Sequence, residues 1–310
     1  MGIIIIILLA VSSSITIGQE LFYTDTVWIN ASRYGYSFLT DYPSSNIIDG
    51  GKLYDDNRRD IIELIERDSN ILLGRNSYTG SGGFFNVRGR SGSVLLDGFL
   101  LDMPQLGGYD IGWISQAGLG HLELIKGPAS VFYGQDALGG AINILPHLPQ
   151  KDTIVSSIYF ERGKLNYKKT RAAITSKVSS RVRYRIDIVE LGSNGARENE
   201  RFLSNDFSSI FLFDLLNSSS KRLGLTFWVT RHKGTLNIPS PYGTSADSSN
   251  ITLVELSTNL TLDTKRIFNF KLFFNNAEED YFSPFQRSSH RNTIYAFRNE
   301  TFIDSTLIGK

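Results

Sequence analysis

Cysteine is absent from this 310-residue chain, which excludes disulfides, thiolate metal sites and lipid-modified cysteines. Histidine is scarce, and its four copies stand far apart without the paired spacing of a metal site, so we predict neither a bound metal nor a cofactor. An excess of one charge is also missing: 32 basic residues against 31 acidic ones give no argument for nucleic acid as a partner. Because the phosphate-loop and nucleophile-elbow motifs are missing too, we predict that the chain is not an enzyme.

Long apolar runs are confined to the N-terminus. Residues 2–11 form an apolar core typical of a signal peptide, with a predicted cleavage point after Gly18. The alternative, an N-terminal membrane anchor, needs about 20 apolar residues, but the run breaks at the serines 12–14. We therefore expect residues 1–18 to be a signal peptide and the protein to be exported. Since no later segment reaches the length of a transmembrane helix, any membrane crossing must use strands.

The segment from about residue 45 to 146 carries the turn and capping signals of a small α+β unit. Asp97-Gly98 separates two apolar runs, which predicts a hairpin because both turn positions tolerate positive φ. Asp60, followed three residues later by Glu63, begins a stretch with apolar residues at helical spacing. Downstream, the turn residues predict a strand up to Lys126, a short helix over 128–133 and a strand over 141–144.

The chain past residue 150 changes to long segments that alternate between apolar and polar side chains. In residues 181–188, for example, arginines and an aspartate alternate with Val182, Tyr184, Ile186 and Ile188. We predict about eight strands, each near the ~10 residues that a tilted membrane strand needs. The predicted strands are 153–162, 165–177, 181–188, 207–215, 223–230, 254–262, 268–274 and 293–302.

Alternation is also the pattern of a soluble antiparallel sheet. Strand length, several charges on the polar face and aromatic residues near strand ends favour an outer-membrane barrel instead. In that interpretation Val182, Tyr184, Ile186 and Ile188 face lipid, while the arginines at 181, 183 and 185 face the lumen. The Ser/Asn/Gly-rich segments 194–205 and 239–250 are expected to be long external loops.

A set of short motifs in fixed order resembles the signature of the plug domain of TonB-dependent outer-membrane receptors. The signature residues are Arg88, Gly89, Asp97, Gly98, Glu123, Lys126, Gly127, Pro128, Ser130, Tyr133, Gly134, Gly139, Gly140 and Asn143. The resemblance implies an α+β plug domain over residues 32–148, followed by antiparallel transmembrane β-barrel strands over 150–310. One departure is Gly120-His121, where the family usually has Glu-Arg, so we expect weaker ion pairing between plug and barrel through that strand.

A short N-terminal peptide is similar to the TonB box that these receptors present to the periplasm. It consists of Asp25, Thr26, Val27, Trp28, Ile29, Asn30 and Ala31. Val27 and Ile29 alternate with polar or amphipathic neighbours, so the peptide can add as an edge strand to a partner sheet. The alternative is an ordinary first strand or a leader without structure. The resemblance implies TonB, the periplasmic energy transducer, as the partner.

The resemblance also implies a function. A TonB-dependent receptor of this kind carries a scarce ligand, cobalamin or an iron–siderophore chelate, across the outer membrane, and it binds the ligand by plug apices and external loops. Two alternatives stay open: a transcription-signalling receptor of the same family, and an exported β-rich binding or adhesion protein. Eight strands are fewer than the roughly 22 of plugged transporters, so we expect an incomplete barrel and a fragment of a longer receptor.

Overall fold

The structure is a computed structural model. It describes residues 45–69, 71, 73, 83–87, 89–101, 108–127, 137–149, 154–218, 221–240, 243–262 and 266–303. The predicted signal peptide (1–18), the predicted TonB box (25–31) and the predicted short helix (128–133) lie outside these residues. Within the described residues, no helix is both long enough and apolar enough to span a membrane.

The N-terminal unit is a five-stranded sheet in the order β1-β6-β7-β4-β5, together with two short helices and a separate two-stranded pair, β2-β3. All neighbours in the larger sheet are antiparallel except the parallel pair β4–β7. The elements are β1 Ser45–Asp49, α1 Lys52–Asp55, α2 Ile61–Ser69, β2 Asn86–Val87, β3 Arg90–Ser91, β4 Ser93–Leu96, β5 Phe99–Leu101, a 3-10 helix Ile111–Trp113, β6 Leu119–Lys126 and β7 Gly140–Pro146.

Helix α2 begins where the capping signal predicted it. The Glu63 backbone N–H donates to Asp60 Oδ1 at 2.8 Å, which satisfies one of the unpaired donors of the first turn. In a capping box the side chain of the third helical residue accepts a hydrogen bond from the backbone N–H of the capping residue. Here Glu63 Oε2 accepts this bond from the backbone N–H of Arg59, one residue before Asp60, at 2.9 Å. The apolar face of α2 is fully buried in the core, as the helical spacing predicted.

The predicted hairpin at Asp97-Gly98 is confirmed. Asp97 and Gly98 have φ angles of 44° and 85°, and two successive positive values are what a type I′ turn requires. The turn joins β4 to β5, whose register pairs Leu96 with Phe99. The Asp97 backbone N–H also donates to the carbonyl of Ile144 at 2.8 Å, so the turn is fixed to β7 as well.

The second half of the chain forms one antiparallel sheet of eight strands, β8 to β15, in which each strand pairs with its neighbours in sequence. This confirms the predicted strand number. Among the described residues the sheet is open, since β8 and β15 each have a single partner. The strands are β8 Val155–Arg162, β9 Lys168–Ser179, β10 Val182–Ser193, β11 Arg201–Asn217, β12 Lys221–Ser240, β13 Gly243–Leu262, β14 Arg266–Phe282 and β15 Arg287–Ile303.

The prediction of long loops was wrong in two places. Residues 239–250 belong largely to the β12–β13 hairpin, whose register continues to Ser240 opposite Gly243. Residues 201–205 begin β11, so the predicted loop at 194–205 is shortened to 194–200. Polar composition did not indicate a loop here, since Ser204, Ser245 and Ser249 are buried in the sheet. Strand pairing depends on whether the neighbouring chain continues in register, and here it does.

The two faces of β10 are as predicted for its strand residues. Arg185 is buried against the N-terminal unit, whereas Ile188 lies on the outer face with 48% of its surface exposed. Arg181 differs from the prediction, because it lies in the turn before β10 and is exposed.

We call the end of the sheet where β8 begins, next to the N-terminal unit, the near end. The opposite end, at Ser240 and Gly243, is the far end.

A single apolar cluster joins the N-terminal unit to the sheet. It contains residues of α2 and β7, such as Ile62 and Ile142, together with inward-facing sheet residues such as Val189, Trp228 and Phe273. Burial of this shared apolar surface holds the two units together without requiring directional contacts. The polar contacts described next are therefore superimposed on an apolar interface.

Candidate functional site

A buried hydrogen-bond network connects three of the predicted signature positions. The side-chain amide of Asn143 accepts a hydrogen bond from Gly98 N at 2.9 Å and donates one to Glu123 Oε2 at 2.9 Å. Glu123 and Asn143 are both almost completely buried. An amide is the side chain that both donates and accepts, so it can join a backbone N–H to a carboxylate. The network fixes the Asp97 turn relative to β6 and β7.

Two glycines of the predicted signature fill positions with no space for a side chain. A Cβ on Gly139 would lie 2.4 Å from the Arg90 carbonyl oxygen, and one on Gly140 would lie 2.0 Å from the Ile125 carbonyl oxygen. Gly140 also has a φ of 146°, which residues with a side chain rarely adopt. Lys126 donates from Nζ to the Ser69 carbonyl at 2.5 Å, so this predicted residue joins β6 to the end of α2.

The Asp97 turn makes the first polar contact between the N-terminal unit and the sheet. Its carboxylate forms an ion pair with Lys271 Nζ on β14, and Glu255 Oε1 on β13 lies 4.0 Å from the same nitrogen. Arg298 on β15 donates to the Gly98 carbonyl at 3.3 Å. Next to these groups, the rings of Phe99 and Phe273 stack with centroids 4.6 Å apart. We name this set the Asp97 contact.

The geometry at Gly120-His121 explains why this pair does not supply the ion pairing to the sheet that a Glu-Arg pair would. A Cβ on Gly120 would lie 2.5 Å from the Pro146 carbonyl oxygen, so a larger residue is excluded there. His121 Nε2 lies 3.9 Å from Glu123 Oε1, which places this interaction inside the N-terminal unit. Ion pairing to the sheet is instead provided by the Asp97 contact.

A second contact surrounds the ring of Tyr54, the buried aromatic residue of α1. Lys169 Nζ and the Arg171 guanidinium lie 4.6 Å and 4.0 Å from the ring centroid. Arg171 and Arg185 both pair with Asp187, at 2.5 Å and 3.0 Å. Burial raises the pKa of the Tyr54 hydroxyl above its ordinary value, so the ring stays neutral beside the two cations. We name this set the Tyr54 contact.

A third contact places residues 115–118 directly against β11. The Gln116 backbone N–H donates to Asp206 Oδ2 at 2.8 Å, and Asp206 Oδ1 lies 2.7 Å from His232 Nδ1. A Cβ on Gly118 would lie 2.3 Å from Ser208 Oγ, so the approach here requires glycine. His232 thus has a structural partner, and the described residues contain no group of three metal-ligating side chains.

Aromatic and acidic side chains meet toward the far end. Tyr109 and Trp113 pack edge to face with centroids 6.2 Å apart, and between them Asp110 accepts hydrogen bonds from Gly83 N and Gly112 N at 3.1 and 2.7 Å. A small cavity beside Trp113 has sheet residues on its other side, Asp247 among them. Burial, and next the charge of Asp110, raise the pKa of the Tyr109 hydroxyl above its ordinary value, so the hydroxyl keeps its proton.

Residues 39–141 match the family described as the TonB-dependent Receptor Plug Domain. The chain carries the plug domain of a TonB-dependent receptor. The N-terminal unit of the structure is this plug domain, and β8 to β15 are strands of the barrel that accompanies it. The Asp97, Tyr54 and Gln116 groups described above are therefore contacts between plug and barrel.

Curated relatives and solved structures agree with this assignment. The vitamin B12 transporters BtuB of Vibrio vulnificus strains CMCP6 and YJ016 are 25% and 27% identical over 131 residues, which cover 41% of this chain and 21% of each relative. The chain thus spans about a fifth of the length of these relatives. The ferric-catecholate import receptor Fiu from E. coli K12 has a TM-score of 0.60 at 16% identity, over 82% of this chain and 44% of Fiu.

The ferric enterobactin receptor PfeA from Pseudomonas aeruginosa has the same TM-score of 0.60 at 15% identity, over 86% of this chain and 47% of PfeA. At these identities the likeness shows the fold alone, a plug domain with part of an antiparallel barrel. The predicted fold class is confirmed.

The plug signature is only partly within the described residues. Gly89, Asp97, Gly98, Glu123, Lys126, Gly127, Gly139, Gly140 and Asn143 are described, whereas Arg88, Pro128, Ser130, Tyr133 and Gly134 are not. The Asp97 turn, Glu123 and Asn143 come together in one network, while Gly89 lies at the turn between β2 and β3 with a φ of 77°. Among the barrel residues of the three contacts, Arg185 was predicted to face inward, but none was predicted to contact the plug.

Proposed function

We propose that the chain is part of a TonB-dependent transporter that carries cobalamin or an iron–siderophore chelate across the outer membrane. The observation that carries the proposal is a plug domain packed, through three polar contacts, against the inner face of an antiparallel sheet. A plug that only closed a pore permanently could use an apolar interface alone. Polar contacts can exchange with water, so they suit a plug that moves and returns.

The outer face of the sheet supports a membrane location. Ile158, Phe160, Tyr295 and Phe297 all point away from the plug with 60% or more of their surfaces exposed. Exposed apolar side chains such as Ile188, Phe227 and Leu272 also lie on strands between the two edge strands, β8 and β15. An apolar outer face is an aggregation hazard in water but suits contact with lipid. This observation favours the transporter over the exported adhesion domain, and outer-membrane lipid is accordingly a proposed partner.

The lengths of the strands support an orientation. Strands β12 and β13 each have 20 residues, about twice what a bilayer crossing needs. At the near end the described connections are short, and long exterior loops with short periplasmic turns are typical of outer-membrane barrels. We therefore assign the near end to the periplasm and the far end to the exterior, where ligand arrives.

The proposed mechanism involves no covalent chemistry. Ligand binds at the far end between plug and barrel strands, and TonB then pairs with residues 25–31 as an added strand. Force transmitted to the plug exchanges the Asp97, Tyr54 and Gln116 contacts for water and opens a path. The plug residues act as a gate, and no bond in the ligand is made or broken.

The test is uptake of radiolabelled cobalamin and of ferric siderophores by cells whose own outer-membrane receptors for them are deleted. We expect a receptor in which this chain is completed to a closed barrel to restore uptake of at least one ligand in cells with TonB and to restore none in isogenic cells without it. Surface binding measured at 0 °C should be equal in both strains. Uptake that is independent of TonB would contradict the proposal.

A further inference from the structure

Two basic residues follow an apolar run on the outer face of β12. Trp228 and Thr230 are buried on the inner face, so the residues that alternate with them face outward. Arg231 comes ten positions after Lys221, which is about the number of residues that a tilted strand needs to cross a bilayer. The outward residues between these two are all apolar: Leu223, Leu225, Phe227 and Val229. Arg231 and Lys233 therefore lie at the exterior boundary of the apolar face, at the level of lipid headgroups. We name them the exterior basic pair.

The side chain of Arg231 turns away from the apolar run. In the β12–β13 register Arg231 lies opposite Thr252, and Lys233 lies opposite Asn250. The guanidinium of Arg231 nevertheless donates from Nε and Nη2 to Asn250 Oδ1, at 3.3 and 3.2 Å. It thus reaches two residues toward the far end, as long basic side chains do at a membrane boundary. This contact brings the guanidinium to the level of Lys233.

No carboxylate of the described residues forms an ion pair with the exterior basic pair. The nearest acidic residues of this face in the sheet register are Glu190 and Glu278, each two strands from Lys233 and so about 10 Å away. Both already have a cation of their own. Glu190 pairs with Lys168 at 2.8 Å, and Glu278 pairs with Arg291 at 2.9 Å. The exterior basic pair is therefore left with two uncompensated positive charges.

The groups around the exterior basic pair are hydrogen-bond donors suited to phosphate. Asn205 and Asn250 lie directly opposite Lys233, one on each neighbouring strand. A guanidinium, an ammonium group and two amides can all donate to phosphate oxygens, and the two cations supply the opposite charge. Like charges at neighbouring positions repel each other, so an anion between them is favourable. Because the site borders the face that contacts lipid, a lipid headgroup is the source of phosphate at this position.

We propose that the exterior basic pair binds the phosphate of a lipid in the exterior leaflet, whose acyl chains lie along the apolar run of β12. The inference rests on the proposed function, from which it takes the membrane location and the orientation. It adds to the general contact with lipid a specific site that recognises one chemical group.

The experiment compares two lipids that differ only in phosphate. Lipid A carries phosphate on its sugar headgroup, and lipid A treated with phosphatase retains the same acyl chains. Dissociation constants are measured with radiolabelled lipid in mixed micelles, on the receptor in which this chain is completed to a closed barrel. We expect the phosphorylated lipid to bind at least about ten-fold more tightly, because each basic residue at a charged membrane surface contributes about five-fold. Equal affinities, or no binding of either lipid, would overturn the inference.

A matched pair of double variants separates the site from net charge. Arg231→Gln with Lys233→Gln should reduce the preference for phosphate to about two-fold or less. Lys168→Gln with Arg291→Gln removes the same formal charge from the same face, but from cations that already have carboxylate partners. This control should keep the preference. Equal losses in the two double variants would show a general effect of charge and would reject the site.

A single variant guards against misfolding of the double variants. Lys233 is exposed and has no hydrogen bond or ion pair among the described residues, so Lys233→Gln leaves the contacts of the strand intact. It should weaken binding of phosphorylated lipid A about five-fold. Unchanged binding by this variant would contradict the inference.

A soluble phosphate distinguishes a lipid site from a general anion site. Glucosamine 1-phosphate carries a sugar phosphate without acyl chains, and it should compete only at concentrations at least about a hundred-fold higher, since buried acyl groups add to affinity. Competition at equal concentration would overturn the inference. The two proposals fail separately. TonB-dependent uptake by a receptor that shows no preference for phosphorylated lipid refutes only the lipid site, and such a preference without energised uptake refutes only the transport function.

Discussion

The carboxylate of Asp97 contacts a lysine on β14 that has little access to water. Side-chain exposure is 12% for Asp97 and 13% for Lys271. Removing one member of a buried pair costs about 3–5 kcal/mol where the other charge is left without compensation. Here Glu255 lies 4.0 Å from Lys271 and compensates part of its charge when Asp97 is removed. The Asp97 contact thus joins plug and barrel by an ion pair whose two side chains are both largely shielded from water.

We predict that Asp97→Asn destabilises the plug–barrel interface by about 1.5–3 kcal/mol, the range for a hydrogen bond to a charged group, because Glu255 remains near Lys271. The control is Asp214→Asn, because Asp214 pairs with Arg183 at 3.2 Å where both side chains are partly exposed. Breaking that pair should cost about 0–1 kcal/mol. Urea titration of the purified protein measures both free-energy changes, with protease cleavage of the plug at each urea concentration as the signal. Equal midpoints for the two variants would count against the predicted role of Asp97.

The carboxyl of Glu63 makes the stability of the folded protein depend on pH. Burial alone would raise the pKa of its carboxyl, but hydrogen bonds from Arg59 and the charge of Arg67 outweigh burial and lower it. A pKa that is lower in the folded state adds stability above the unfolded value of about 4.3, and this stability is lost as the pH falls through the folded pKa.

We therefore predict that Glu63→Gln is less stable than the natural protein at pH 7, by about 1–3 kcal/mol for hydrogen bonds to a charged group. The difference should shrink as the pH falls below about 4. Urea unfolding followed by circular dichroism between pH 3 and pH 7 measures it. A gap that stays constant over this range would show that the charge of Glu63 contributes nothing.

Strand β10 allows the two faces of the sheet to be compared at neighbouring positions. We predict that Ile186→Arg, on the lipid face, impairs assembly by about 2–4 kcal/mol near the bilayer midplane. Arg185→Ser, on the plug face, should cost less because Asp187 keeps Arg171 as a partner. The amount of folded protein in outer membranes measures both variants in a receptor in which the chain is completed to a closed barrel. Comparable tolerance of the two substitutions would refute the assignment of faces.

In the proposed mechanism, energy coupling depends on pairing between TonB and residues 25–31. Proline lacks the backbone N–H that an added strand donates, so we predict that Val27→Pro abolishes energised uptake while ligand binding survives. Val27→Ala retains the N–H and should keep most of the uptake. Ligand binding and uptake, measured in parallel on cells that carry the receptor completed to a closed barrel, test this prediction. Normal uptake by Val27→Pro would remove residues 25–31 from the mechanism.

The sequence was sufficient to predict the number, type and faces of the barrel strands, because alternation with a period of two records which side is buried. It did not predict where β11, β12 and β13 end. The polar ends of these strands have the composition of loops. Only their pairing with the neighbouring strand shows that β12 continues to Ser240 and that β13 begins at Gly243. The domain bounds 32–148 and 150–310 stay predictions.

The candidate site was predictable on one side only. Asp97, Glu123 and Asn143 belong to a recognisable signature, and their local turns and strands bring them together. Their partners in the barrel were not predictable, since Lys271 is separated from Asp97 by 174 positions in the sequence. No local pattern specifies which inward-facing charge on which strand will meet a given turn.

At the scale of the whole molecule, the outer edges of β8 and β15 are unpaired among the described residues. Lipid offers no hydrogen bonds to such edges. We predict that the 310-residue chain alone forms no sealed barrel and tends to aggregate through these edges. Electrophoresis with and without boiling tests this. A monomer whose mobility changes on heating, and which resists protease in outer membranes, would contradict the prediction.

The position of β1 determines how the plug domain responds to a mechanical load. This strand is the first described element after the proposed TonB box, and it lies at the edge of its sheet with β6 as its one strand neighbour. The opposite edge, at β5, is anchored to the barrel by the Phe99–Phe273 stack and the Asp97 turn. A pull from the N-terminal side therefore loads a seam of five residue pairs before it strains the anchored edge.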